Sequence, residues 1–305
     1  MKLKISVRGC GSAHFLGVII LGKKRYKGVS AGRLRSEIIY EPATRMDSDI
    51  ARQAKMQYSS MARQKLNNDT ATHKLEMLLA ANFTEDDYWV THTYDDEHLP
   101  TGDNARHIAK GRAGRFVLML NAARKIEHVP LLYTYGTESV TAGPPRLHHH
   151  FIINASAYTR DKDEWQRIWR HDLEQIKSMW WQGNVYVETF RMAKRRLDEK
   201  TPERELPSTS FDDAHLEFRS RNIWENVARY IVKERREKDA KPYYERAWNR
   251  SRSLRKPQVC NDWADSGTDL VIPPDAIVLQ DEHRSNGFGD YHWIKYILPE
   301  TQTAT

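Results

Sequence analysis

The sequence predicts an α+β fold, an antiparallel βαββαβ sheet with extra helices and short terminal β segments. Three observations carry this. Between residues 88 and 190 the hydrophobic period alternates between that of a strand and that of a helix in the order βαββαβ. The second helix of that run carries a continuous apolar stripe, and both ends of the chain are rich in short strand-like runs broken by turn residues.

Taken in order, residues 1–44 form an N-terminal β-rich extension, with runs at Lys4 to Arg8, Phe15 to Leu21 and Glu37 to Tyr40. From about Asp49 to Ala81 a basic, Gln/Ala/Leu-rich stretch without Pro or Gly predicts one or two helices, broken near Asn67-Asn68-Asp69. A strand follows from Tyr88 to Tyr94. A helix from about Asp103 to Ile126 puts Ala105, Ile108, Phe116, Leu120 and Ala123 at helical spacing, with Gly111 and Gly114 weakening it. Strands at Pro130 to Glu138 and Arg146 to Ile153 are joined by a Gly-Pro-Pro loop. The next helix carries Trp165, Trp169, Leu173, Ile176 and Trp180, and a last strand runs Val185 to Phe190.

This is the split pattern of ferredoxin-like and RRM-like folds, in which helices cover one sheet face, leave the other open, and make the first and third strands central neighbours. After a charged loop (Asp198 to Ser210), a helix of about Arg221 to Glu237 aligns Ile223, Val227, Tyr230, Ile231 and Glu234. Residues 258–305 form a C-terminal β-rich tail with Pro-Pro, Asn-Gly and Gly-Asp turns.

Composition narrows the partners. The chain has 305 residues and is 39% hydrophobic, enough to build a core, and its net charge of +7 suits a polyanion. Cys10 and Cys260 lack CxxC spacing, so neither a disulfide framework nor a thiolate zinc site is expected. The apolar run Phe15 to Leu21 is short, ends in Lys23, Lys24 and Arg25, and has no cleavage signature. Nothing reaches the length of a membrane span, so the expectation is a soluble, cytoplasmic protein.

The sharpest chemical signal is His148-His149-His150 on the third predicted strand. Alternation sends His148 and His150 to one face and His149, Phe151 and Ile153 to the other, and two imidazoles two residues apart can share one metal ion. The bland alternative is surface decoration. Glu138 ends the preceding strand, and the hairpin can bring its carboxylate beside them, giving a two-His, one-carboxylate set with open positions. A divalent ion there would act as a Lewis acid on a phosphodiester. On the late helix, Tyr230, Lys233 and Glu234 share a side, and a phenol becomes a nucleophile where an ammonium or a metal stabilises its anion. A tyrosine on an amphipathic helix is otherwise ordinary core. Thr91 and Thr93 face the same way as His148 and His150, where hydroxyls can meet phosphate or sugar oxygens.

Four features therefore stand in order: YWVTHTYDDEHLP at residues 88–100, Glu138, RLHHHFIIN at 146–154, and ARYIVKE at 228–234. Together they resemble the HUH endonucleases, in particular the single-tyrosine rolling-circle replication (Rep) proteins of phages, plasmids and integrative elements. Tyr243 to Pro257 is similar to a further segment of these proteins, so the resemblance spans roughly residues 45–257, with a catalytic core at 85–240.

The resemblance implies a replication initiator that nicks and rejoins single-stranded DNA at an origin. Tyr230 would attack the scissile phosphate, and Lys233 would steady the phosphate, the metal or the phenolate. Glu138, His148 and His150 would hold Mg²⁺ or Mn²⁺, with Glu234 as an alternative ligand, and Thr91, Thr93 and Tyr94 would contact DNA. No G-x-x-x-x-G-K-[ST] loop is present, so a host helicase, and with it a host polymerase, are expected partners.

Two positions depart from the family pattern: His149 and His92 stand where bulky apolar residues are usual. Both are expected to face the helices, either bonded to each other across adjacent strands or signalling a register displaced by one. A mobilisation relaxase or transposase shares this chemistry. A non-catalytic single-strand-binding regulator would instead use Tyr88, Trp89 and the basic residues of 45–80. A structural zinc module would lack a fourth protein ligand.

Overall fold

The structure is a computed structural model and describes residues 23–42, 60–140, 146–192, 222–233, 248–286 and 289–299. These fall into two compact units, one within residues 60–256, the other from residues before 60 and after 256. Each has a five-stranded antiparallel sheet, and the class is α+β.

In the unit of residues 60–256 the elements run α1 (Ser60–Ala80), β3 (Tyr88–Thr93), α2 (Ala105–Ile126), β4 (Tyr133–Val140), β5 (Arg146–Ile153), α3 (Lys162–Ser178), β6 (Val185–Thr189), α4 (Ile223–Lys233) and β7 (Asn249–Arg250). The sheet order β6-β3-β5-β4-β7 makes β3 and β5 central neighbours, as expected of a ferredoxin-like βαββαβ order, with β7 added at the edge. One face carries Val90, Phe151, Ile153 and Val187. They pack with Ala109, Ala113, Phe116 and Leu120 of α2 and Ile176 of α3. Asp161 caps α3, its carboxylate accepting from the Glu164 N–H at 2.8 Å, and the buried Arg124–Asp172 pair (3.2 Å) links α2 to α3.

The other face is not open. Trp89 and Ile152 pack with Leu75, Leu78 and Leu79 of α1 and with Ile223, Val227, Ala228 and Ile231 of α4. The reason is the apolar stripe of α4: Ile223, Val227 and Ile231 at four-residue spacing need a surface to cover, and this sheet face supplies it. Helix α1 also continues through Asn67-Asn68-Asp69, where a break was expected, because the modest propensity penalty of those residues, a few tenths of a kcal/mol each, is outweighed by burial of Leu75, Leu78 and Leu79. Gly111 and Gly114 likewise do not interrupt α2.

The second unit joins both ends of the chain. β1 (Lys23–Ala31) and β2 (Leu34–Tyr40) form a hairpin around Gly32, whose φ of 56° suits glycine. β8 (Gln258–Asp265), β9 (Ile277–Asn286) and β10 (Gly289–Ile297) complete the order β8-β1-β2-β10-β9. The extension and the tail, separate in the sequence, thus pair in one sheet. The runs at Lys4 to Arg8 and Phe15 to Leu21 lie outside the described residues. Among the described residues, no helix is long and apolar enough to cross a membrane.

Candidate active site

Register builds the site. In an antiparallel ladder directly opposed residues share a face, and β5 sets His148 opposite both Glu138 of β4 and Thr93 of β3, and His150 opposite both Gly136 and Thr91. The Glu138 Oε2 lies 3.1 Å from the Nε2 of His148 and 3.1 Å from the Nε2 of His150. All three residues are buried, and their ligand atoms lie within 4.8 Å of one another.

The hydrogen bonds behind the rings fix what the cluster can hold. His148 Nδ1 is 3.3 Å from the Arg146 carbonyl oxygen, which only accepts, so that nitrogen carries the proton and the Nε2 of the neutral ring is a lone pair. His150 Nδ1 is 3.1 Å from the Thr91 hydroxyl. The His148 lone pair is therefore directed at a carboxylate oxygen, an arrangement that requires a proton or a cation between them, and His150 Nε2 lies against the same oxygen. The second oxygen of Glu138, Oε1, is buried without a hydrogen-bond partner. Glu138, His148 and His150 can hold a metal ion, and Thr91 and the Arg146 carbonyl orient the ligands from behind.

Tyr230 reaches the same place from α4. Its hydroxyl is 3.3 Å from His150 Nε2, and its ring meets His150 edge-on. Two features bring α4 this close. At Gly136 a Cβ would lie 3.2 Å from Ile231 Cγ2, so the absent side chain lets the helix settle on the sheet. Trp89 stacks on His150 with ring centroids 4.9 Å apart and presents its edge to Tyr230, clamping both rings. Lys233 ends the described part of α4, one turn beyond Tyr230, and Glu234 lies outside the described residues.

Thr91 is on the site face and bonded to His150, and Thr93 lies beside it with its hydroxyl 3.4 Å from the Asn184 carbonyl. Tyr94 is elsewhere. It is buried toward α2 and α3, and its hydroxyl is 2.7 Å from His149 Nε2. Tyr88 and Trp89 are also buried, Tyr88 donating to Asp172 at 2.6 Å, so neither is exposed to stack on bases. The roles of Trp89 and Gly136 in seating His150 and α4 escaped the sequence reading. Alternation does set Trp89 on the face of Thr91, but nothing local in the sequence ties Gly136 to Ile231.

No family model matches this chain, and comparison with curated proteins and with solved structures likewise gave no match.

The two departures at His149 and His92 resolve separately. His149 is fully buried, its Nδ1 3.0 Å from the Thr137 hydroxyl and its Nε2 engaged by Tyr94, and desolvation, reinforced by the neighbouring histidines, holds its pKa well below the usual histidine value. His92 stands opposite His149 in the ladder but does not bond to it. Neither of its ring nitrogens has a partner. The ring stacks on Trp180 with centroids 4.4 Å apart, and burial, helped by His150, lowers its pKa to about 3. The register displaced by one residue does not occur: His148 and His150, not His149, face Glu138.

Proposed function

We propose that this chain is a single-tyrosine nicking-closing endonuclease of the HUH type, acting as a rolling-circle replication initiator on single-stranded DNA. One observation carries the reading: a tyrosine hydroxyl from a distant helix lies 3.3 Å from an imidazole that itself faces a buried carboxylate. A tyrosine serving only as core has no need of such a neighbour.

In this reading the Tyr230 oxygen attacks the scissile phosphorus. A phosphotyrosine bond forms to the 5′ end, the bond from phosphorus to the 3′ oxygen breaks, and that oxygen takes up a proton to become a free 3′ hydroxyl. Closing is the reverse attack by a 3′ hydroxyl. Glu138, His148 and His150 would hold Mg²⁺ or Mn²⁺, which when bound supplies positive charge against the developing charge on the phosphate oxygens. Trp89 and Thr91 keep the His150 ring in its orientation, and packing of Ile231 over Gly136 keeps Tyr230 within reach. Lys233 would steady the phosphate or the phenolate. Origin DNA, a host helicase and a host polymerase are the partners such a role needs. Burial of Tyr88 and Trp89 counts against the non-catalytic regulator, which needs them as a stacking platform.

The test is incubation of the purified chain with Mn²⁺ and a 3′-end-labelled, randomised single-stranded oligonucleotide pool, so that the label stays on the fragment joined to the protein, followed by denaturing electrophoresis. A labelled protein band is expected for the wild type and none for Tyr230→Phe. Equal labelling of Tyr230→Phe would dismiss the assigned nucleophile, and no labelling of either protein would favour a binding role.

A further inference from the structure

The sheet that joins the two ends of the chain has a second cluster of ligating side chains, unrelated to the nicking reading. We propose that Asp269, His283 and His292 form a transition-metal site of the zinc type, with Asp281 as the group that orients His292. Their ligand atoms lie within 4.8 Å of one another.

The local geometry is that of a carboxylate–histidine–metal relay. His283 and His292 are directly opposed on β9 and β10, with ring centroids 3.5 Å apart and planes within 22°. His292 is buried, and its Nε2 lies 2.9 Å from an Asp281 carboxylate oxygen. A carboxylate there can hold the proton on Nε2, as the partner of a metal-ligating histidine does, which leaves Nδ1 to act as the ligand. That Nδ1 lies 2.5 Å from Asp269 Oδ1, close enough to share a proton, and the two must separate for an ion to lie between them. A doubly protonated His292 is the competing explanation, but it makes no use of His283, whose imidazole sits against the same pair.

Two imidazoles and one carboxylate suit zinc and its first-row neighbours, manganese included, better than magnesium or calcium, which prefer all-oxygen sets, and by the same chemistry the set at Glu138, His148 and His150 fits Mn²⁺ better than Mg²⁺. Ligand atoms on tetrahedral zinc stand about 3.3 Å apart. Asp269 can adjust to that spacing because it belongs to the irregular connection of residues 266–276 between β8 and β9, not to the ladder. The cluster borders an open cleft of about 540 Å³ that also takes in Lys24, Thr268 and Arg284, giving an ion a way in and room for a fourth ligand from solvent. Binding would pin the 266–276 connection to the β9–β10 hairpin, a structural role. It is separate from Glu138, His148 and His150, which belong to the other unit.

The test uses the full chain carrying His148→Ala and His150→Ala, which removes the first cluster. After equilibration with Zn²⁺ and desalting, one zinc per chain is expected by elemental analysis, with a rise in Tm on zinc addition. Adding His283→Ala, at an exposed position, should weaken zinc binding at least tenfold. Unchanged zinc content in His283→Ala, or no zinc in the background protein, overturns the site. The wild-type chain provides an independent arm. Crystals soaked in zinc should give an anomalous peak among Asp269, His283 and His292, and absence of a peak there overturns the site whatever happens at Glu138.

Discussion

Replacing His92 with leucine should stabilise the protein, and by more at acid pH than at neutral. Both nitrogens of His92 are buried without a partner, and an unsatisfied buried polar group costs about 1–3 kcal/mol. Leucine removes that cost but forfeits the stacking on Trp180, about 0.5–1.5 kcal/mol, so the net gain at pH 7.5 is about 1 kcal/mol. The pH dependence adds to this. The folded-state pKa of about 3 lies below the unfolded value near 6.5, so His92 is neutral when folded and the unfolded chain binds the extra proton as the medium acidifies. The wild type therefore keeps its full stability above about pH 6.5 and loses about 2 kcal/mol from this residue by pH 5. Urea unfolding of wild type and His92→Leu at pH 7.5 and 5.0 isolates the term, because the other titrating groups are common to both proteins. The difference should grow from about 1 to about 3 kcal/mol. An equal difference at the two pH values, or a destabilised variant at both, would mean that His92 has a partner or carries a charge in the folded state.

Asp172→Ala should destabilise by about 3–5 kcal/mol in the same assay, because it strands the fully buried Arg124 guanidinium and the Tyr88 hydroxyl. Gly136→Ala should slow adduct formation about tenfold while leaving far-UV circular dichroism unchanged, since the new Cβ pushes on Ile231 and tilts Tyr230 away from His150. His148→Ala with His150→Ala should abolish cleavage but leave single-strand affinity, measured by fluorescence anisotropy, within about twofold, because backbone phosphate contacts dominate binding.

Much of the site was legible because alternation is a strict rule within a strand. The facing of His148 and His150, the hairpin that returns Glu138 to them, and the adjacency of β3 and β5 all follow from period and connection length. The same rule would have put Tyr94 with Val90 and His92 on the helix side, yet its place in a family-like motif drew it into the expected DNA contacts. The covered second face was less accessible. Periodicity reveals that α4 has a stripe, but not that the stripe lies on Trp89 and Ile152. Strands were legible at both ends of the chain but their pairing into one sheet was not, since β2 and β10 pair across more than two hundred residues with no local signal for their register. His92 lacks the partner that pairing logic predicted because Tyr94 and Thr137 already occupy both nitrogens of His149.

Whether the Tyr230 oxygen becomes bonded to DNA is best answered by peptide mapping. The full chain is reacted with Mn²⁺ and single-stranded oligonucleotide, digested with nuclease and protease, and the nucleotide-bearing peptide is sequenced by mass spectrometry. A phosphonucleotide on Tyr230 is the predicted result. The same mass on a different tyrosine, or cut DNA with no modified peptide, would contradict the account.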